Sequence, residues 1–306
     1  MNNDINGNII NDINMGKSQT PKKRRYIEID VAKGVAVLLM MFFHFFYLGK
    51  HMKIFEANTE SGLLFLSAKI AHLVFIIASG ANLAISTSEK SPKEYIPQKV
   101  KRGLYLIAVG LIISYFTKVE FGDNYVRFGI MHFIGTATIL SAFLMKVPMM
   151  TYILSSGILL FHYLLKSTSL KNKFVDICEK NSFTCFISGI MNLKYNAMDH
   201  FALIPYLGYF LLGSAIAFTC YKIKKVKEDM ANLDELGLAS IVNDSSIDNT
   251  LNNNDNNDNN DNRYVKQLGF LDKHVNNPVI KMITWVGKRS LMFYITHFVI
   301  LYCIFK

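Results

Sequence analysis

The segment from Tyr26 to Leu48, YIEIDVAKGVAVLLMMFFHFFYL, constrains this chain more than any other part of it. Its apolar run, Val31 to Leu48, is long enough to cross a bilayer, which takes ~20 apolar residues in a helix. Four basic residues, Lys22, Lys23, Arg24 and Arg25, stand directly before it, and a histidine, His44, sits inside it. An ionisable group at that depth is costly, so it marks a place where chemistry is expected. The run begins too late and is too long for a signal-peptide core of ~7–15 residues. No A-x-A-like cleavage site follows it, so it reads as a retained anchor.

The same reading finds seven apolar spans, near 31–48, 62–86, 103–117, 126–145, 149–165, 201–221 and 287–305. The expected architecture is therefore all-α: a polytopic transmembrane helix bundle of about seven spans. Basic residues fall on one side of these spans. They are the N-terminal flank, the loop with Lys90, Lys93, Lys99, Lys101 and Arg102, then Lys146, the YKIKKVK segment after 220, and Lys281, Lys288 and Arg289. Positive residues favour the cytosolic face, so the N-terminus is expected to be cytosolic. The formal charge of +10 is thus explained by the membrane. No recognition motif accompanies it, and nucleic acid is not an expected partner.

Residues 1–25 form a polar and then basic tail, expected to be disordered, followed by a transmembrane domain over 26–306. An Asn/Asp tract at 243–262 interrupts that domain and is expected to be a disordered cytosolic insertion. Asn243-Asp244-Ser245 matches a glycosylation sequon, but this topology hides it from glycosylation. Cys178 and Cys185 share one loop and can pair if it is lumenal, whereas Cys220 and Cys303 read as small apolar residues. No H-x-x-x-H or comparable spacing points to a metal, and none is expected.

Counting ~1.5 Å per helical residue places His44 roughly 20 Å into the first span. Arg127 then lies at the mouth of the fourth span, with His132 one turn deeper, and His200 opens the sixth. His72 and His297 fall nearer mid-membrane. Histidines converging on one level suit acid–base or nucleophilic work, because imidazole exchanges protons near neutral pH. The alternative is that each merely bonds to a neighbouring helix backbone. At the cytosolic end, Glu28, Asp30, Lys33, Lys288 and Arg289 read either as anchoring charges or as a polar entry for an anionic cofactor. Small residues at Ala78–Ala81, Gly208, Gly213 and Ala217 read as packing positions.

Five stretches taken together resemble the catalytic domain of the heparan-alpha-glucosaminide N-acetyltransferase family, especially its compact microbial members. They are EIDVAKGVAVLLMMFFHF (28–45), FIIASGANLAIS (75–86), VRFGIMHFIG (126–135), DHFALIPYLGYFLLG (199–213) and WVGKRSLMFYITHF (285–298), in the family's order. The resemblance implies a membrane acyltransferase that takes an acetyl group from acetyl-CoA and delivers it to an amino sugar or glycan acceptor. Its lysosomal members acetylate the terminal glucosamine of heparan sulfate in the lumen. The matched polar positions are Asp30, His44, Arg127, His132, His200 and His297. The lysosomal members' histidine lies in the first lumenal loop, where this chain has only His51, and Lys33 stands where the family commonly has arginine. The chain is shorter than the lysosomal enzymes.

The expected roles follow. His44 or His132 is the base, and Arg127 steadies the oxyanion or an anionic sugar. His200, His297 and His51 line the acceptor side. Asp30, Lys33, Lys288 and Arg289 hold the donor. The expected partners are the lipid bilayer, acetyl-CoA and a sugar or glycan acceptor, with a homo-oligomer compatible with the sequence. The compartment is open between endomembrane and plasma membrane. O-acylation of a glycan or lipid, a proton-coupled transporter, a seven-span receptor and an inactive relative stay open as alternatives. No inverted repeat or pair of broken helices speaks for transport.

Overall fold

A computed structural model of the chain describes residues 26–88, 90–165, 199–220 and 276–306. The N-terminal tail, the Cys178–Cys185 loop, the Asn/Asp tract and its sequon lie outside the described residues. Eight α-helices are described: α1 (Ile27–His51), α2 (Gly62–Ser88), α3 (Pro92–Phe121), α4 (Ile130–Leu144), α5 (Pro148–Leu165), α6 (Leu203–Cys220), α7 (Pro278–Lys288) and α8 (Ser290–Phe305). This is an all-helical, integral, multi-pass membrane protein.

The helices differ in how they meet a bilayer. Five of them, α1, α2, α3, α5 and α6, are long and apolar enough to cross it, and α7 with α8 make a sixth span only if taken as one unit bent by 86°. Seven apolar runs thus correspond to five or six helices of spanning length. The difference lies in α4, whose 15 residues measure only ~22 Å. Ten of those residues are buried, from Ile130 through Ala142, so α4 sits inside the bundle and meets little lipid. By contrast α3 presents Leu104, Leu111, Ile112, Tyr115 and Phe116 outward, as a lipid-facing helix should.

Lipid supplies no hydrophobic drive between helices, so close backbone approach and interhelical hydrogen bonds must hold them. The α2–α6 contact shows both. A Cβ built on Gly80 would stand 1.8 Å from the Phe210 carbonyl oxygen, and one on Gly213 would stand 2.0 Å from that of Ile77. The Ser214 hydroxyl donates to the Gly80 carbonyl at 2.9 Å. On α5, the Ser155 hydroxyl donates to Gly208 at 3.0 Å and Tyr152 donates to Ala215 at 3.1 Å.

The contacts also give direction. His72 meets Phe201 while Gly80 meets Phe210, so α2 and α6 run parallel. Gly103 meets Ile139 while Gly110 meets His132, so α3 and α4 run antiparallel. Gly287, just before α8, lies on Asp30 at the start of α1, while His297 and Phe305 reach His44 and Phe45 near its end, so α8 runs with α1. One end of the bundle, the near end, gathers the starts of α1 and α3 and the ends of α2 and α4. The far end gathers the opposite termini.

Between α3 and α4 the chain at 125–129 is non-helical, with extended backbone at Tyr125 and Gly129. Its backbone polar groups are met inside the protein, as membrane depth requires. The Ser114 hydroxyl donates to the Val126 carbonyl at 2.6 Å, the Thr117 hydroxyl accepts from Val126 N at 3.2 Å, and Phe201 N donates to the Phe128 carbonyl at 2.8 Å.

Replacing Gly213 by valine should drive α2 and α6 apart. Overpacking of this kind costs about 1–3 kcal/mol. Thermal unfolding in detergent should show a clear loss for Gly213→Val and little for Gly157→Val, where nothing lies within 4 Å of the added carbon.

Candidate active site

The far end of the bundle holds a cluster of polar side chains in apolar surroundings. His44 Nδ1 lies 3.1 Å from His297 Nε2, and the two rings are 5.1 Å apart. His297 is 3% exposed, and its Nδ1 lies 2.9 Å from the Phe293 carbonyl. For two neutral rings, these contacts favour one arrangement of protons. A carbonyl only accepts, so His297 Nδ1 carries its proton. His297 Nε2 is then the acceptor, and His44 Nδ1 must donate to it. The Met40 carbonyl, one turn back on α1, is a second acceptor for the His44 ring, and with the proton on Nδ1 the lone pair stays on His44 Nε2. The chain Phe293 carbonyl, His297, His44 therefore presents one basic nitrogen in a set orientation, with the backbone of α8 as its anchor.

His72 on α2 lies in electrostatic range of His44 and packs its ring 4.9 Å from Phe201. The Tyr294 ring packs 5.7 Å from that of His297. Asp199 comes in from the segment before α6, within electrostatic range of Tyr47, Tyr206, Tyr294 and Lys69. Its carboxylate accepts from the backbone N–H of Ile130 and so caps α4, whose N-cap residue Gly129 has no side chain to do so. Asp199 keeps some surface as a residue, but the protein around its carboxyl removes water from it. That burial pushes the carboxyl up to about 7, against the opposing pull of the Ile130 N–H and Lys69.

The expected site residues separate into groups. His44 and His297 are in contact, although counting residues along the spans sets them at different levels. His297 reaches the level of His44 because α8 starts only at Ser290, after the bend. His132 is 5% exposed, stacks on Phe128 at 5.5 Å and fits against Gly110 of α3. Neither of its ring nitrogens has a hydrogen-bond partner among the described residues. His200 pairs its backbone beside Phe128 and sets its ring 6.3 Å from that side chain. Arg127 lies over Tyr125 at 4.8 Å, at the far-end mouth. His51 is exposed and packs against Phe121 at 4.8 Å.

At the near end, Lys33, Lys99 and Arg102 line a small open cleft together with Ser79, Asn82, Ser86 and Thr138. The Lys99 ammonium bonds to the Ser86 hydroxyl. Three cations with hydroxyl and amide donors suit a phosphate-bearing ligand. Lys33 is the member of the expected donor set that lines this cleft. Lys288 and Arg289 lie exposed outside it, and Asp30 packs its backbone carbonyl under Gly287. In the sequence, Lys99 and Arg102 read only as cytosolic flanking charge. Their i,i+3 spacing at the start of a span is the signal that could have found them. Asp199 and His72 also escape the sequence reading as site residues, although Asp199 opens one of the quoted motifs. Among the described residues, no group of three or more His, Cys, Asp or Glu side chains is placed to hold a metal ion.

The profile of the heparan-alpha-glucosaminide N-acetyltransferase catalytic family matches residues 25–243. The chain belongs to that family. It is therefore a membrane enzyme of transferase type, and the family as a whole uses acetyl-CoA as its co-substrate. The match contains His44, the near-end cleft and Asp199 and stops before α8, which carries His297. No curated protein and no solved structure matches the chain.

Asp199 makes a testable contribution to stability. A carboxyl raised from 3.8 to about 7 favours the folded state while protonated. The unfolded chain gives up that proton first, so stability falls as pH rises from about 4 through about 7. Asp199→Asn should flatten this fall when unfolding is followed across that window. An unchanged pH dependence would contradict the assignment.

Proposed function

We propose that this protein is a membrane acetyltransferase that takes acetyl-CoA at its near, cytosolic end and acetylates an amino sugar or glycan at its far end. The observation that carries the reading is the pairing of two sites on one helix. Lys33 and His44 both stand on α1, 11 residues or ~16 Å apart, one in the basic cleft and the other in the histidine relay. A thioester donor whose phosphates rest on Lys33, Lys99 and Arg102 can reach along the bundle through its extended pantetheine arm.

In this reading His44 Nε2 takes the proton as an acceptor amine attacks the thioester carbonyl. The C–N bond forms, the C–S bond breaks, and the sulfur leaves as the thiol once protonated. His297 holds the His44 tautomer and shares the charge that develops on the ring. Among the described residues nothing fixes the tautomer of His132, so it fits a wall of the site better than a base. Arg127, His200 and His51 stand around the far-end mouth, where an acceptor would enter. A hydroxyl acceptor loses its proton to the same nitrogen, so O-acylation is the nearest variant.

General-base catalysis contributes about 10²- to 10⁴-fold. His44→Ala should lose acetyl transfer from labelled acetyl-CoA by that order. His297→Ala should lose less, by roughly 10-fold, since it orients the base. Full activity of His44→Ala in correctly inserted protein would overturn the assignment. Arg102→Gln should raise KM for acetyl-CoA more than it lowers kcat.

A further inference from the structure

The outer face of α7 belongs to none of these sites. We propose that α7 lies in the membrane plane at the near end and binds the headgroups of anionic phospholipids. Its orientation follows from its neighbours. α8 runs alongside α1, and α7 is bent 86° away from α8, so α7 lies close to perpendicular to the spanning direction. It is pressed flat onto the first turns of α1. A Cβ on Gly287 would stand 1.7 Å from the Asp30 carbonyl oxygen, and one on Gly34 would stand 2.2 Å from that of Ile283.

What α7 turns outward suits a lipid surface. It is the most amphipathic of the described helices. Lys281, Trp285, Lys288 and the following Arg289 fall at i, i+4, i+7 and i+8, a single stripe, while Val286 and Gly287 are buried away from it. All three cations are exposed, and the segment from Pro278 to Arg289 contains no acid to neutralise them. Beside the stripe stand Val279, Met282 and Trp285, which are 56%, 57% and 47% exposed. The Arg289 guanidinium lies over the Trp285 ring at 4.8 Å, which holds charge and indole together. An apolar edge beside a basic stripe with tryptophan between them is the pattern of a helix seated at the headgroup boundary. Each basic residue near such a surface adds attraction for anionic lipid. An acidic protein would match the charges but would leave the apolar edge without acyl chains to enter.

Trp285 is the single tryptophan of the chain, so its fluorescence reports this helix alone. The full-length protein is reconstituted in phosphatidylcholine bilayers carrying either brominated phosphatidylcholine or brominated phosphatidylserine at equal mole fraction. Quenching by the brominated serine lipid should exceed that by the choline lipid by about two-fold or more. The excess should fall at high salt, and it should vanish in a Lys281→Gln, Lys288→Gln, Arg289→Gln variant. Equal quenching by the two lipids would overturn the proposal. So would an excess that survives the triple substitution. Absence of quenching by either lipid would overturn it as well, and would point to a protein surface, such as a second copy of the chain, covering α7. Should the variant fail to insert, the salt series on the unaltered protein separates the same outcomes.

Discussion

A polar group at membrane depth finds no water, so the protein itself must satisfy it or leave it unpaired. That constraint organises this bundle. It explains the serine and tyrosine hydroxyls on α5 and α6 that bond to neighbouring backbones. It explains why the non-helical chain at 125–129 lies against Ser114, Thr117 and Phe201 rather than in lipid. Above all it fixes the histidines. His297 Nδ1 bonds to a carbonyl of its own helix, and the His44 ring is met by both His297 and the Met40 carbonyl. The orientation of the His44 ring thus follows from the need to pair polar groups in an apolar interior.

The same helix, α1, contributes to both the basic cleft and the histidine cluster. α1 sets Lys33 at the near end and His44 toward the far end, and its length fixes their separation. α2, α3 and α4 complete the basic cleft, while α2, α8 and the segment before α6 complete the histidine cluster. The two sites therefore differ in character. The cleft gathers positive charge in reach of water, and the cluster gathers neutral rings, tyrosines and one carboxyl with a raised proton affinity. Positive charge and the histidine cluster are thus separated along the length of α1.

Much of the fold is legible in the sequence because apolar length is a direct reading of bilayer thickness. Six of the seven expected runs correspond to helices placed within a few residues, apart from α3, which begins well before its apolar part because Pro92 and the basic turn behind it are helical too. The run at 126–145 misleads for a physical reason: apolar residues buried in protein look like apolar residues buried in lipid, and α4 is the former. The run at 287–305 hides a bend at Arg289, because its apolar content continues across the bend. His44 is legible as an ionisable residue in a span. Its partner is not, since the pairing joins residues 253 positions apart and depends on where α8 starts. Asp199 is hidden in plain view, because a carboxylate beside a span reads as an ordinary cap until the fold brings it near Tyr47 and Tyr294.

The central claim is that the two ends of one bundle serve one reaction. Sealed vesicles of known orientation test it most directly. Labelled acetyl-CoA is supplied at the near face and a glucosamine-terminated acceptor is enclosed at the far face. The account predicts label on the enclosed acceptor, with little transfer when both reactants are confined to the far side. Transfer only when donor and acceptor share one face would contradict it.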